Sequence, residues 1–311
     1  MNNSHPAPSD NPACPACRAY SACLYHQPSL TPTPLVLRLL PHHQFLIHTL
    51  TGKPAPLVNW LLTLAPVRAI LAQQLGIPRP LPLPALTRQR FTRWVRARHD
   101  KSIPERMHDK IHARTTQAVY LFIGCAAQYS DLAVGVAAVQ LLEAGGWNPL
   151  LVRHTCCGAM HACYGDAAGA QAMARYTLHR LGWYTRRGIP VVSVSVGCVQ
   201  QLRQAVQTYP LLNTSDTRHV LSLTDDLLTF LVRHAHRLPL RRPDPPLRVY
   251  LADAASALTL APLLHQHAGV VCVASAPYDR VVHPDLLCRV QLRRSTDAIC
   301  QHPLELLAEL L

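Results

Sequence analysis

Apolar runs separated by turn residues divide the chain into alternating elements. AVYLFIGC (Ala118 to Cys125) is an unbroken apolar run, which predicts a buried strand. SDLAVGVAAVQLLEAGG follows; Ser130 or Asp131 can cap a helix there, and Gly145 and Gly146 can end it. NPLLVRHTCCG (Asn148 to Gly158) reads as a second strand. Asp166 to Gly188 reads as a helix with Ala172, Tyr176 and Leu178 among its apolar positions. IPVVSVSVGC (Ile189 to Cys198) reads as a third strand. Strands alternating with helices imply right-handed crossovers and a parallel sheet, so the predicted fold class is α/β.

Residues 211–238 read as helical, with Asp225 and Asp226 near the start of LLTFLVRHAHRL, and LRRPDPP (Leu240 to Pro246) as a linker. LRVYLAD, ASALTLAPLLHQHAG and VVCVASA then repeat the strand–helix–strand order, which predicts a second, smaller α/β unit. LELLAELL closes the chain as a short amphipathic helix. Upstream, residues 35–77 read as helices broken by Pro41, Pro54, Pro56 and Pro66. The apolar stretch from Ala55 to Ile77 contains Asn59, Pro66, Arg68, Gln73 and Gln74, too many interruptions for a spanning helix. PRPLPLP (Pro78 to Pro84) is an extended connector. Residues 85–99 read as a helix with Phe91, Trp94 and Val95 on one face, and with Arg88, Arg90, Arg93, Arg96 and Arg98 mostly elsewhere, a solvated face or a docking surface. The expected organisation is a Cys- and Pro-rich tail over 1–34, a helical region with a basic linker over 35–116, a cysteine-rich module over 117–210 and a second α/β unit over 211–311.

Composition narrows the function classes. Hydrophobic residues make up 49% and charged residues 15%, which excludes a disordered or coiled-coil chain. The formal net charge of +13 favours acidic partners or anionic surfaces. Arginine is spread over the whole length and aromatics are only 6%, so no nucleic-acid partner is expected. The start, MNNSHPAPSDNPAC, has no apolar signal core, so the expected location is cytoplasmic, where the eleven cysteines stay reduced. Clustered reduced cysteines point to metal or redox chemistry.

The predicted strands each end in cysteine: Cys125, the pair Cys156–Cys157, and Cys198. In a parallel sheet the C-terminal strand ends share one edge, where open α/β sheets bind ligands. Each thiol has glycine or a second cysteine beside it, which lets the backbone turn sharply next to a bound group. Four thiolates complete the ligand set of an iron–sulfur cluster or of a tetrahedral zinc. Three other readings are buried small hydrophobes, a dithiol enzyme and a cluster-free scaffold. Cys163 is a weaker candidate ligand, as are Cys14, Cys17 and Cys23 in CPACRAYSAC, where His26 is a nearby fourth donor. His154 and His161 flank the Cys-Cys-Gly and are candidate hydrogen-bond donors to cluster sulfur, with Arg153 offsetting negative charge. No Gly-rich phosphate loop is present, and GDAAGA (Gly165 to Ala170) lacks the strand a dinucleotide site needs.

VYLFIGC, TCCGAMHACYGD and VVSVSVGC resemble the cysteine-rich CCG module. It occurs in the B and D subunits of heterodisulfide reductase, in the C subunit of anaerobic glycerol-3-phosphate dehydrogenase, and in iron–sulfur subunits of glycolate and lactate oxidation systems. Leu57 to Trp94 also resembles the segment preceding the module in the glycerol-3-phosphate dehydrogenase type. The resemblance implies two related CCG-type units and a [4Fe-4S] cluster on Cys125, Cys156, Cys157 and Cys198, with zinc as the alternative. It further implies a redox subunit rather than a stand-alone enzyme, passing electrons between a flavoprotein dehydrogenase and a quinone or disulfide acceptor, with peripheral contact at the inner membrane face. A zinc-stabilised or cluster-free scaffold derived from that family is the alternative function. The chain departs from the pattern in three places. Gln201 stands where many members have a further cysteine, which speaks against disulfide cleavage by paired clusters. The second unit has Asp253 near the expected cysteine and no second Cys-Cys-Gly, and Cys272, Cys288 and Cys300 do not restore it, so that unit reads as degenerate. Tyr20 occupies the third place of a ferredoxin-like run in the tail.

Overall fold

The computed structural model describes residues 34–75, 83–98, 117–150, 155–252, 254–273, 277–283, 289 and 298–311. Cys14, Cys17, Cys23 and His26 lie outside these residues, as do Arg153, His154, Asp253, Cys288 and the PRPLPLP segment up to Pro82.

Short helices open the described chain: α1 (Pro34–Leu39), α2 (His43–Leu50), α3 (Ala55–Leu61) and α4 (Ala65–Leu75). Pro41 and Pro54 fall at breaks. Pro56 and Pro66, expected as breaks, instead sit in the first turns of α3 and α4, where a proline's missing N–H costs nothing. Residues 85–90, expected as helix, are held out of it. Asn59 clamps Leu86 by both backbone groups, accepting from its N–H at 2.8 Å and donating to its carbonyl at 2.9 Å. Helix α5 therefore covers only Phe91–Arg98.

The first sheet is parallel and four-stranded, ordered β2-β1-β3-β4, with β1 at Ala118–Phe122, β2 at Asn148–Leu150, β3 at Val191–Ser193 and β4 at Thr224–Asp226. Strand β1 is buried along its whole length. Val119 and Leu121 face one core cluster; Tyr120 and Phe122 face another. Burial on both faces explains the unbroken apolar run. Connecting helices are α6 (Gly124–Tyr129), α7 (Leu132–Ala144), α8 (Ala159–Cys163), α9 (Ala167–Thr185), α10 (Val196–Thr208), α11 (Ser215–Ser222) and α12 (Leu227–Arg233). Asp131 takes the N-cap position of α7, yet its carboxylate makes no cap bond and pairs with Arg289 instead.

Strand β4 corrects the expectation of one helix over 211–238. Thr224, Asp225 and Asp226 pair with Val191, Val192 and Ser193. Aspartate is a poor strand former, but this pairing satisfies the open edge of β3, and Asp226 then caps α12 by accepting from the Thr229 N–H at 2.9 Å.

The second sheet joins β5 (Arg248–Leu251), β6 (Val271–Val273), β7 (Arg280–Val282) and β8 (Ile299–Gln301), all parallel, in the order β6-β5-β7-β8. That is the order of the first sheet over again, so the architecture is α/β with two related units behind a helical N-terminal region. Helix α13 (Ala254–Leu263) joins β5 to β6 as expected, while β7 and β8 add strands the apolar pattern did not single out. The last helix, α14 (Pro303–Glu309), packs against α7 of the first unit. Leu304, Leu306 and Leu307 enter a core that also holds Leu142, Val192, Val249 and Val282, residues of both units.

Candidate functional site

The carboxyl edge of the first sheet gathers the cysteines. Cys125 follows β1, but the strand ends at Phe122 and the thiol lies in the first turn of α6. Cys198 likewise lies in the first turn of α10 rather than on the strand; Ser195 caps that helix, its Oγ accepting from the Cys198 N–H at 3.4 Å. Helix N-termini favour negative charge on a thiol in the first turn. Cys156 and Cys157 precede Gly158, the N-cap of α8, and Thr177 anchors the doublet by donating to the Cys156 carbonyl at 2.8 Å. The expected strand ends are therefore strand-to-helix turns.

Two glycines make the turns possible. Gly124 has φ +69°, and a Cβ there would stand 3.3 Å from Cys198 Sγ. Gly158 has φ +88°, and its Cβ would meet the Ala170 carbonyl oxygen at 2.8 Å. Both turns need a residue with no side chain.

The four thiols touch one another. Cys125 donates to Cys156 across 3.6 Å, Cys156 also accepts from the Gly158 N–H at 3.4 Å, and Cys157 bonds Cys156 and Cys198. These bonds sort them electrostatically. Donation to Cys156, with burial, pushes the Cys125 thiol well above its usual range. Donation to Cys156 and Cys198, with burial, does the same to Cys157. Cys156, accepting from Cys125 and Cys157, is held far below the ordinary thiol range, against the opposing effect of burial. Cys198, accepting from Cys157, is held low as well. The network thus eases loss of the proton at Cys156 and Cys198 relative to Cys125 and Cys157, and thiolate is the form that ligates metal. Among the described residues, no three His, Cys, Asp or Glu side chains converge on a single-ion position. The donor set is soft and multi-sulfur, held on glycine turns that leave backbone close to the sulfurs. It fits an iron–sulfur cluster.

Cys163, the weaker candidate, is exposed at the end of α8, whereas Cys156 and Cys157 are buried and Cys125 and Cys198 half-buried. In the second unit Cys272 is exposed, and Cys300 is buried with its thiol toward the Ala298 carbonyl.

Two histidines border the thiols. His161 is buried rather than facing solvent; its Nδ1 lies 2.7 Å from Asp166 Oδ2, and its Nε2 is buried with no hydrogen-bond partner. A buried polar nitrogen left unmet costs about 1–3 kcal/mol. His43 was not anticipated from sequence. It stands 113 residues before Cys156 and at the start of α2, with Nε2 4.0 Å from Cys156 Sγ. Burial lowers its pKa, but hydrogen bonds with Cys156 and the Leu40 carbonyl outweigh that and raise it overall. Packing carries it there: Val36 and Leu40 bury against Tyr164, just beyond α8. No local signal in the sequence marks such a long-range contact.

Known proteins align with this arrangement. Residues 119–203 match the model of the CCG family, described as a cysteine-rich domain. The chain is 24% identical over 328 aligned residues to the C subunit of anaerobic glycerol-3-phosphate dehydrogenase of Escherichia coli strain K12, covering 90% of this chain and 78% of that protein. The same figures hold for the protein of that name from Escherichia coli O157:H7. Over residues 119–203 the chain therefore matches the CCG cysteine-rich domain, and along nearly its whole length it is similar to one subunit of a dehydrogenase.

Proposed function

We propose that this protein is an iron–sulfur electron-transfer subunit of an oxidoreductase complex. It would pass single electrons between a flavoprotein partner and a quinone or disulfide acceptor. Cys125, Cys156, Cys157 and Cys198 are the ligands in this reading, and a bound [4Fe-4S] cluster supplies the one-electron chemistry. The observation that carries it is the meeting of these thiols on one rim, with Cys125 and Cys156 3.6 Å apart. Similarity to a dehydrogenase subunit supports the redox assignment.

The chain's own residues have separable tasks. Residues 117–210 form the binding module: Gly124 and Gly158 admit the turns, and α2 brings His43 within 4.0 Å of Cys156 Sγ. Residues 211–311 first complete the first sheet with β4 and then serve as a structural copy from β5 on, with the strand order retained and no second Cys-Cys-Gly. Residues 35–116 supply the docking face, because Phe45, Leu57, Trp60 and Ile70 expose large apolar side chains. Among the described residues no single helix is long and apolar enough to cross a membrane; α3 and α4 form a bent apolar pair at 87°. Peripheral contact with a membrane or partner suits that face.

Anaerobic purification with iron and sulfide analysis tests the reading. The expected result is about four iron and four sulfide per chain, brown colour, and an electron paramagnetic resonance signal after dithionite reduction. A colourless protein with bound zinc supports the zinc-stabilised scaffold, and intact thiols with no metal overturn both metal readings in favour of the cluster-free scaffold.

A further inference from the structure

We propose that the outward face of α9, with the turn after it, is a docking site for an acidic peptide segment of a partner protein, read by guanidinium groups that two aromatic rings hold in place. It stands apart from the electron-transfer reading, because it acts whether or not the rim is loaded. The inner face of α9 belongs to the cysteine site: Ala174, Leu178 and Leu181 are buried, and Thr177 anchors the doublet. On the outer side, Tyr176, Arg180, Trp183 and Arg187 follow at four, three and four residues, the spacing of a single stripe. Tyr176 is 53% exposed. The Arg180 guanidinium lies 5.8 Å from the Tyr176 ring centroid and donates to its hydroxyl at 3.4 Å. The Arg187 guanidinium lies 3.7 Å from the Trp183 ring centroid and donates to the Trp183 carbonyl at 2.8 Å. The same aromatic–arginine pair thus occurs twice, seven residues apart.

The stripe lacks a counter-charge. No acidic residue occurs between Asp166 and Asp216. Elsewhere Arg98, Arg203, Arg233, Arg248 and Arg280 each meet a carboxylate. Among the described residues, no carboxylate pairs with Arg175, Arg180, Arg186 or Arg187. Arg180 Nε gives a second, independent sign, since it is buried with no hydrogen-bond partner. A buried donor left open beside an exposed ring calls for an acceptor from outside the chain.

The chemistry of the stripe selects carboxylates. A guanidinium pinned on a ring is already ordered, and its planar fork matches a carboxylate at two points. Tyr176 and Trp183 stand seven residues apart, about 10 Å along the helix. Glutamates three residues apart in an extended segment are spaced by the same about 10 Å. Base stacking is disfavoured, because the Trp183 ring is already taken by Arg187 on one face and by Tyr184 edge to face at 4.8 Å. A bilayer is disfavoured as well, since the large apolar side chains exposed for one, Phe45, Trp60 and Ile70, stand on α2, α3 and α4.

The test measures fluorescence anisotropy of the full chain with a labelled glycine–serine peptide bearing glutamate at every third position, at about 0.15 M salt, where diffuse attraction to the net charge is screened. A peptide of the same composition with its glutamates in one block is the comparison. The spaced peptide is expected to bind tighter, and Arg180→Gln with Arg187→Gln to weaken it about tenfold or more, the loss of two charge-assisted contacts. Arg241→Gln with Arg242→Gln, which removes the same charge from the exposed linker, is expected to leave binding within about twofold. Trp183→Leu, which keeps apolar bulk and releases Arg187, is expected to fall between the two. Equal loss in both double variants, or no loss in the first, overturns the site. So does binding of single-stranded DNA or of phosphatidylglycerol vesicles that the α9 variants abolish while peptide binding persists. Where circular dichroism shows Arg180→Gln with Arg187→Gln unfolded, Arg180→Lys with Arg187→Lys keeps the charge, loses the fork and must still weaken the spaced peptide. Iron is measured on every sample. Iron-free protein that binds the peptide through α9 overturns the electron-transfer reading alone, and iron-loaded protein that ignores the peptide overturns the docking site alone.

Discussion

At the scale of single residues, the site depends as much on glycines as on sulfurs. The cysteines and their neighbouring glycines were legible in the sequence, because both repeat at each apolar run's end. Their exact placement was not: strand hydrogen bonds stop at Phe122 and Ser193, and the turns after them use positive φ or a serine cap. Gly158→Ala puts a side chain at φ +88° and against a backbone carbonyl that cannot swing aside. The expected loss is about 1–3 kcal/mol from the backbone alone, read as a lower urea midpoint, with faster alkylation of Cys156 and Cys157 as the doublet is displaced. An unchanged midpoint would mean that the turn relaxes freely. Cys198→Ser replaces a soft sulfur donor with a hydroxyl, which still accepts a hydrogen bond but ligates iron–sulfur centres poorly. It is expected to abolish stable iron uptake while leaving stability within about 1 kcal/mol of wild type in thermal melts, since a serine fits the same half-buried turn.

At the scale of elements, the strand–helix order over 118–198 was readable because burial on both faces leaves nothing polar to interrupt it. The short strands β4, β7 and β8 were not, because three-residue strands are set by their pairing partners and not by their own side chains. A histidine that ends one element shows how packing sets chemistry. His302 caps α14, its Nδ1 accepting from the Leu304 N–H at 3.0 Å, so only a ring with an unprotonated Nδ1 caps. Burial, with the nearby charges of Arg289 and His283, holds its pKa well below the usual histidine value. The unfolded chain therefore takes up this proton first, near pH ~6.5. Stability is complete above that pH and falls as pH drops below it toward the depressed folded value. One pH unit below, the loss is roughly 1 kcal/mol. Denaturant midpoints at about pH 8 and about pH 5.5, either side of the unfolded value, measure it, and His302→Asn, which keeps an acceptor, is expected to flatten the acid side. An acid side identical in wild type and variant would place the titration on another group.

At the scale of the whole molecule, the two sheets share one core, and this determines how the cysteine rim is protected. Leu304, Leu306 and Leu307 of the last helix pack with α7, the helix that follows the Cys125 turn. Arg289, 2% exposed, pairs with Asp131 at the start of that same helix and donates to the His283 carbonyl at 3.0 Å. The Arg241 N–H bonds the Leu310 carbonyl at 2.7 Å, closing the chain's end onto the linker between the units. Unfolding of the second unit would strip the outer face of α7 and take Arg289 away from Asp131, so neither unit can open alone without exposing the other's core. A single cooperative transition follows. Leu307→Ala leaves a cavity at the junction and is expected to cost about 2–5 kcal/mol. Its signature lies far from the mutation. Thiol alkylation, followed peptide by peptide in mass spectrometry, should accelerate at Cys156 and Cys157 in the first unit by the same factor as at Cys300 in the second, because both open in one event. Acceleration confined to Cys300 would show that the copy melts first, and that the rim is stabilised by its own sheet alone.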